Sequence, residues 1–119
     1  MDFVYVPTKR QIFNSKNSIR IHLPQKDKIL CAKFRKGHFE GVLNVMNRLM
    51  SIIKSKDLFM GEKDYQQLHL IKKFLSKKFG VRINACPTIR TGDKIALSTR
   101  NKLLNKKSLE KASKIAKLL

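Results

Sequence analysis

Between His38 and Ile53 the apolar residues Phe39, Val42, Leu43, Met46, Leu49, Met50 and Ile53 recur every three or four positions, while Glu40, Asn44, Asn47, Arg48, Ser51 and Lys54 fill the other side. That period predicts an amphipathic helix with one buried stripe. The run "DLFM" that follows is too short for a helix and stops at Gly61, as a buried strand would. Helical spacing then resumes from about Asp64 to Phe79. It buries Leu68, Ile71, Phe74 and Leu75 and exposes Lys72, Lys73, Lys77 and Lys78, with Gly80 as a left-handed stop. In "VRINACP", Val81, Ile83 and Ala85 share a face before Pro87, which predicts a second strand. Strand, helix and strand come in order.

The flanks are read in the same way. "DFVYVP" is a β-branched and aromatic run closed by proline, so Phe3 to Val6 is expected to be a strand. "NSIRIHLP" alternates Ile19, Ile21 and Leu23 against Arg20 and His22, which predicts another extended piece with one wet face. Thr88 to Asn101 has no periodicity and reads as a long functional or mobile loop. Ser108 is placed to cap a last helix in which Leu109, Ala112, Ala116 and Leu119 share a face. No internal repeat appears. Alternating elements imply an α/β fold with a parallel sheet, right-handed crossovers and flanking helices, although only about three or four strands are visible, few for such a sheet.

At 119 residues the chain is sized for one domain, and its 42% hydrophobic and 29% charged residues argue against disorder. The excess of 27 Lys and Arg over 8 Asp and Glu gives a formal charge of +19. Such a field draws phosphates, nucleic acid or other polyanions. The lysines are nonetheless spread along helix faces, as in "KKFLSKK" and "NKKSLEKASKIAK", with no aromatic series for bases to stack on. A nucleic-acid surface and a solvated basic surface both stay open. Cys31 and Cys86 stand alone, without metal or redox spacing, and read as buried reduced thiols. The first residues carry no leader pattern and no stretch approaches the ~18 apolar residues of a membrane span, so a cytoplasmic protein without membrane partners is expected.

Three segments carry candidate chemistry. In "MGEKDYQQL", Asp64 with Gln67 three residues on is a variant of the capping box, which accounts for two residues. Lys63 is left as a cation at the positive end of a helix, where a bound phosphate would compensate it. In "PTIRTGDKIALSTRN", Ser98, Thr99, Arg100 and Asn101 offer hydroxyls, a guanidinium and an amide, suited to a triphosphate or simply to a polar turn. "RKGHFEGV" places His38 beside Gly37 at a helix start, near an anionic substrate or as an ordinary cap-region histidine. Two of the segments follow the strand ends of one βαβ unit, where open α/β sheets bind ligands.

Taken in order, the three segments resemble the pantothenate synthetase (pantoate–β-alanine ligase) pattern R-P-G-H-F-x-G-V, F-G-E-K-D-Y-Q-Q-L and P-T-x-R-x-x-D-G-L-A-x-S-S-R-N, over about Arg35 to Asn101. The resemblance implies a Rossmann-like sheet of the nucleotidylyl-transferase type. It also implies an AMP-forming ligase that condenses pantoate with β-alanine through pantoyl adenylate, using ATP and Mg2+. Gly61, Glu62, Lys63 and Asp64 would line the ATP site, with Lys63 on phosphate and Asp64 toward the ribose. Gln67 would hold pantoate, and Ile89 would sit against adenine. Leu97, Ser98, Thr99 and Arg100 would form a mobile phosphate loop, with Lys63, Ser98, Thr99 and Arg100 acting in catalysis. No residue is assigned to a metal.

The departures are Lys36 for proline, Lys94 for the glycine of D-G and Thr99 for the second serine. The family's M-G-x-L-H-x-G-H motif has no counterpart in these residues. Residues 1–119 are therefore expected to be one partial nucleotide-binding domain, without the family's N-terminal half and C-terminal domain, and inactive alone. A separately encoded N-terminal half and a homodimer are the partners this implies. The alternative is a non-catalytic basic module that binds polyanions.

Overall fold

The computed structural model describes residues 3–13 and 20–118. Two short helices, α1 (Lys9–Phe13) and α2 (Cys31–Phe34), precede α3 (His38–Ile53), which has the bounds its period predicts. Then come β1 (Asp57–Gly61), a 3₁₀ turn (Glu62–Asp64), α4 (Tyr65–Ile71), a π-helical turn (Lys72–Ser76), α5 (Lys77–Phe79) and β2 (Arg82–Cys86). A loop, a further 3₁₀ turn (Thr99–Leu103) and α6 (Lys106–Leu118) complete the described chain. Gly80 closes the helical stretch at φ 60°, the left-handed geometry expected of it.

The two strands pair in parallel, from Asp57 opposite Arg82 to Gly61 opposite Cys86, so both end at the same level. Leu58, Met60 and Ile83 point from one sheet face into a core formed by Phe39, Leu43 and Met50 of α3 together with Leu70, Ile71, Leu75 and Val81. Leu43, Ile71 and Leu75 are fully buried, each contributing roughly 1.5–3 kcal/mol of transfer free energy. Lys73, exposed as its spacing predicts, turns its ammonium to the buried Asp27 at 2.5 Å and pins the 3₁₀ turn Gln25–Asp27 against the π turn.

Several expectations need correction. Phe3 to Val6 form no strand and are exposed, Phe3 by 94%, because no neighbouring strand among the described residues offers them backbone partners. The sheet among the described residues has two strands, not three or four. Ile19 lies outside the described residues. Ile21 and Leu23 do turn inward while Arg20 and His22 stay exposed, but the segment joins no sheet. Asn44 of α3 accepts the Ile21 N–H at 2.8 Å and donates to its carbonyl at 3.3 Å, doing the work of a strand neighbour.

The helix after β1 is interrupted by the π turn and is entered through a 3₁₀ turn. Asp64, at φ −97° and ψ 55°, makes no side-chain cap bond, so the predicted capping box with Gln67 does not form. At α6 the cap is Asn105, whose Oδ1 accepts the Ser108 N–H at 2.9 Å, and Ser108 lies inside the helix. Cys31 is exposed at the start of α2 rather than buried, and both cysteines are free.

Asp57 and Arg82 clasp the entrance of the sheet: Arg82 Nε donates to Asp57 Oδ1 at 2.6 Å and Nη2 to Oδ2 at 3.2 Å, and Asn84 Nδ2 adds a bond at 2.9 Å. The bond from Arg82 first, then that from Asn84, lowers the Asp57 carboxyl from 3.8 to about 2, and the same carboxylate raises Arg82. A lowered carboxylate stabilises the fold fully above its unfolded pKa, and that contribution is lost as pH falls through the folded one. In urea titrations wild type should therefore be more stable than Asp57→Asn at neutral pH, the gap closing from about pH 5 down to about pH 2. A gap unchanged across that window would show that the clasp does not act through the carboxylate charge.

Candidate functional site

Level strand ends release the chain at one end of the sheet, Gly61 into the 3₁₀ turn and α4, Cys86 into the loop from Pro87. The loop doubles back on itself. Arg90 bridges Ala96, the Thr91 N–H bonds the Ile95 carbonyl at 2.8 Å, and the Leu97 N–H bonds the Ile89 carbonyl at 2.9 Å. Lys63 then joins the two segments, its Nζ donating to the Leu97 carbonyl at 2.6 Å. A carbonyl thus supplies the negative partner that a lysine near a helix start requires. Ser98 caps the 3₁₀ turn Thr99–Leu103, its Oγ accepting the Arg100 N–H at 3.2 Å, while Asn101 donates to the Ala96 carbonyl at 3.0 Å.

Gly61, Glu62, Lys63, Asp64, Ile89, Leu97, Thr99 and Arg100 are all exposed, and Ser98 is half-buried. A cavity of about 580 Å³ opens between α2, the start of α3 and the start of α4, lined in part by Arg35, His38, Lys63, Asp64, Gln66 and Gln67. It gathers Lys63, Asp64 and Gln67 with His38, whose Nδ1 lies 3.2 Å from Arg35 Nη2 and whose ring packs edge-on to Phe39. Ile89 and residues 97–100 do not line it; Lys63 is the side chain shared by the cavity and the loop. A further cavity of about 550 Å³, against α1 and α3, contains none of these residues.

Two contributors escaped the sequence reading. Gln66 donates to the Ile29 carbonyl at 2.7 Å and keeps its Oε1 buried without a partner among the described residues. Leu30, on the cavity wall, stands at φ 49° and ψ −130°, a strained backbone for an L residue. The paired amides of "QQ" were a signal for Gln66; nothing in the sequence marks Leu30. Among the described residues no three His, Cys, Asp or Glu side chains gather to hold a metal, and no helix is long and apolar enough to cross a membrane.

The parallel βαβ unit, with its cationic helix start and adjoining loop, is of the nucleotidylyl-transferase type of α/β fold, as its structural neighbours are. A sequence model described as pantoate-beta-alanine ligase matches residues 1–119, and the chain belongs to that family. The pantothenate synthetase of Francisella tularensis subsp. novicida is 39% identical over 122 residues, covering 100% of this chain and 46% of that protein. A bifunctional pantoate ligase/cytidylate kinase of Prochlorococcus marinus is 40% identical over 109 residues, 88% of this chain and 21% of that one. A crystal structure of pantoate-beta-alanine ligase from Francisella tularensis, complexed with beta-gamma ATP and beta-alanine, superposes with a TM-score of 0.77 at 41% identity, covering 91% of this chain and 42% of the other. The chain thus spans less than half the length of these relatives.

Lys94 is where the loop departs from the family pattern. The Lys94 N–H closes a turn on the Thr91 carbonyl at 2.9 Å, and Lys94 itself stands at φ 66°. A turn followed by a left-handed residue is the geometry that glycine occupies in a G1 bulge. Lysine holds it under strain, its carbonyl taking a bond from Arg90 Nη1 at 2.9 Å. Lys94→Gly should raise the stability of the chain by about 1 kcal/mol in urea unfolding, and Lys94→Ala should leave it nearly unchanged. Destabilisation by the glycine variant would mean that the positive φ is not what the position demands.

Proposed function

We propose that this chain carries part of the ATP and pantoate site of a pantoate–β-alanine ligase and serves pantothenate biosynthesis. The observation that carries the reading is the bond from Lys63 to the Leu97 carbonyl, which joins the two motif segments at one end of the sheet. On this reading ATP lies along Gly61, Glu62, Lys63 and Asp64, its phosphates between Lys63 and the segment Leu97, Ser98, Thr99 and Arg100. Adenine packs on Ile89, exposed by 67% and so available to a flat ring. Gln67, in the cavity with Lys63, hydrogen-bonds pantoate.

The pantoate carboxylate attacks the α-phosphate of ATP, forming pantoyl adenylate as the bond to pyrophosphate breaks. The amine of β-alanine then attacks the acyl carbon and AMP leaves with the bonding electrons. Lys63 and Arg100 offset the charge that builds on the phosphates. Magnesium would be held chiefly by the substrate phosphates, as is usual for such sites, and no residue of this chain is assigned to it. These 119 residues contain no M-G-x-L-H-x-G-H motif, whose histidines the family resemblance places on the ATP phosphates in the adenylation step. The alternative, a polyanion-binding module, rests on charge alone.

Lys63→Ala should weaken ATP binding by about ten- to a hundredfold in calorimetry, the value of a charge-assisted hydrogen bond. With pantoate and β-alanine added, the 119-residue chain alone should release no AMP above background. Unchanged ATP affinity in the variant would remove the proposed role of Lys63, and AMP release abolished by the same substitution would show the chain to be sufficient.

A further inference from the structure

Arg35 and His38 of "RKGHFEGV" line the same cavity as Lys63 and Gln67, yet the ATP and pantoate contacts proposed above use neither. Gly37, at φ 74°, turns the chain from α2 into α3, and the two side chains flank that turn. The His38 N–H closes it on the Arg35 carbonyl at 3.2 Å. Phe39 is buried, and the His38 ring lies edge-on to it with centroids 5.0 Å apart, so the imidazole is packed in place. A guanidinium can only donate. The 3.2 Å contact from Arg35 Nη2 therefore makes His38 Nδ1 the acceptor and puts the ring proton on Nε2. His38 thus steers Arg35 without neutralising it, and among the described residues Arg35 enters no ion pair. Gly37 also leaves the start of the 16-residue α3 without a side-chain cap, which adds positive potential beside the guanidinium.

The chemistry of the ligation says which anion belongs there. On the reading above the phosphates lie between Lys63 and residues 97–100, and that loop does not line this cavity. The pantoate carboxylate is the first nucleophile, so it must reach the α-phosphate rather than stay on a fixed cation. The β-alanine carboxylate reacts in neither step and keeps its charge throughout. Unpaired in a cavity, it would oppose binding of the amine, whereas a planar guanidinium matches it with parallel hydrogen bonds. Of the two carboxylates on the cavity wall, Asp27 is already held by Lys73 and Asp64 follows Lys63, so Arg35 keeps its charge for a ligand. We propose that Arg35, oriented by His38, binds the carboxylate of β-alanine and so directs its amine toward the acyl adenylate. This rests on the ligase reading and adds a place for the second substrate.

The test titrates β-alanine into the isotope-labelled chain without nucleotide and follows the Arg35 side-chain N–H and the His38 ring by NMR. Both signals should shift together and saturate. Propionate, which keeps the carboxylate, should shift them too, and propylamine, which keeps only the amine, should not. Arg35→Gln, at an exposed position, should melt within a few degrees of wild type and bind β-alanine at least about tenfold more weakly. His38→Ala should weaken binding several-fold, and His38→Gln, whose amide oxygen can still accept from Arg35, should recover part of that loss. Should Arg35→Gln fail to fold, the comparison of propionate with propylamine decides. Because no ATP is present, a failure of the ATP assignment would leave this result standing. The absence of a saturable shift, equal binding of propylamine and β-alanine, or unchanged affinity in Arg35→Gln would each overturn the proposal.

Discussion

The in-register parallel pairing of β1 with β2 decides where everything else can lie. Because Gly61 is level with Cys86, the 3₁₀ turn after one strand and the loop after the other leave the sheet side by side. A slip of one residue would turn Leu58, Met60 and Ile83 away from the core, and it would carry Lys63 out of reach of Leu97. The register is held by apolar burial from one face and by the Asp57–Arg82 clasp on the other. Packing, electrostatics and the geometry of the site therefore share one constraint.

From that constraint the chemistry follows in steps. Lys63, released just beyond the strand, bridges a cavity containing His38 and Gln67 to a loop containing Ile89, Leu97 and Ser98. A lysine bonded to a carbonyl at 2.6 Å is positioned yet exchangeable, since an anionic phosphate is the stronger acceptor for an ammonium. On the proposed reading, arrival of the nucleotide replaces this bond and couples the loop to ligand binding. Family membership is shown across residues 1–119; the assignment of single residues to ATP and pantoate is the proposed part.

Legibility in the sequence tracked how local the determining physics was. The stripe of α3, the short strand before Gly61 and the left-handed stop at Gly80 depend on neighbours a few positions away, and each is where its pattern placed it. Features set by distant partners were not legible: Asn44 bracketing the backbone of Ile21, Asp27 drawing Lys73, and the strained Leu30 on the cavity wall. Phe3 to Val6 had the right composition for a strand, but a strand needs a partner, and composition cannot supply one. The motif residues were visible as a set. Their meeting through Lys63 and Leu97 depends on register, and Asp64 illustrates the converse, a cap expected from spacing that the 3₁₀ entry to α4 removes.

The most direct measurement is hydrogen exchange across the whole chain with and without a non-hydrolysable ATP analogue. Slowed exchange at both 61–64 and 97–100, appearing together at the same analogue concentration, is the result this account predicts. Protection confined to the lysine-rich stretch 72–78, or at one of the two segments without the other, would contradict it.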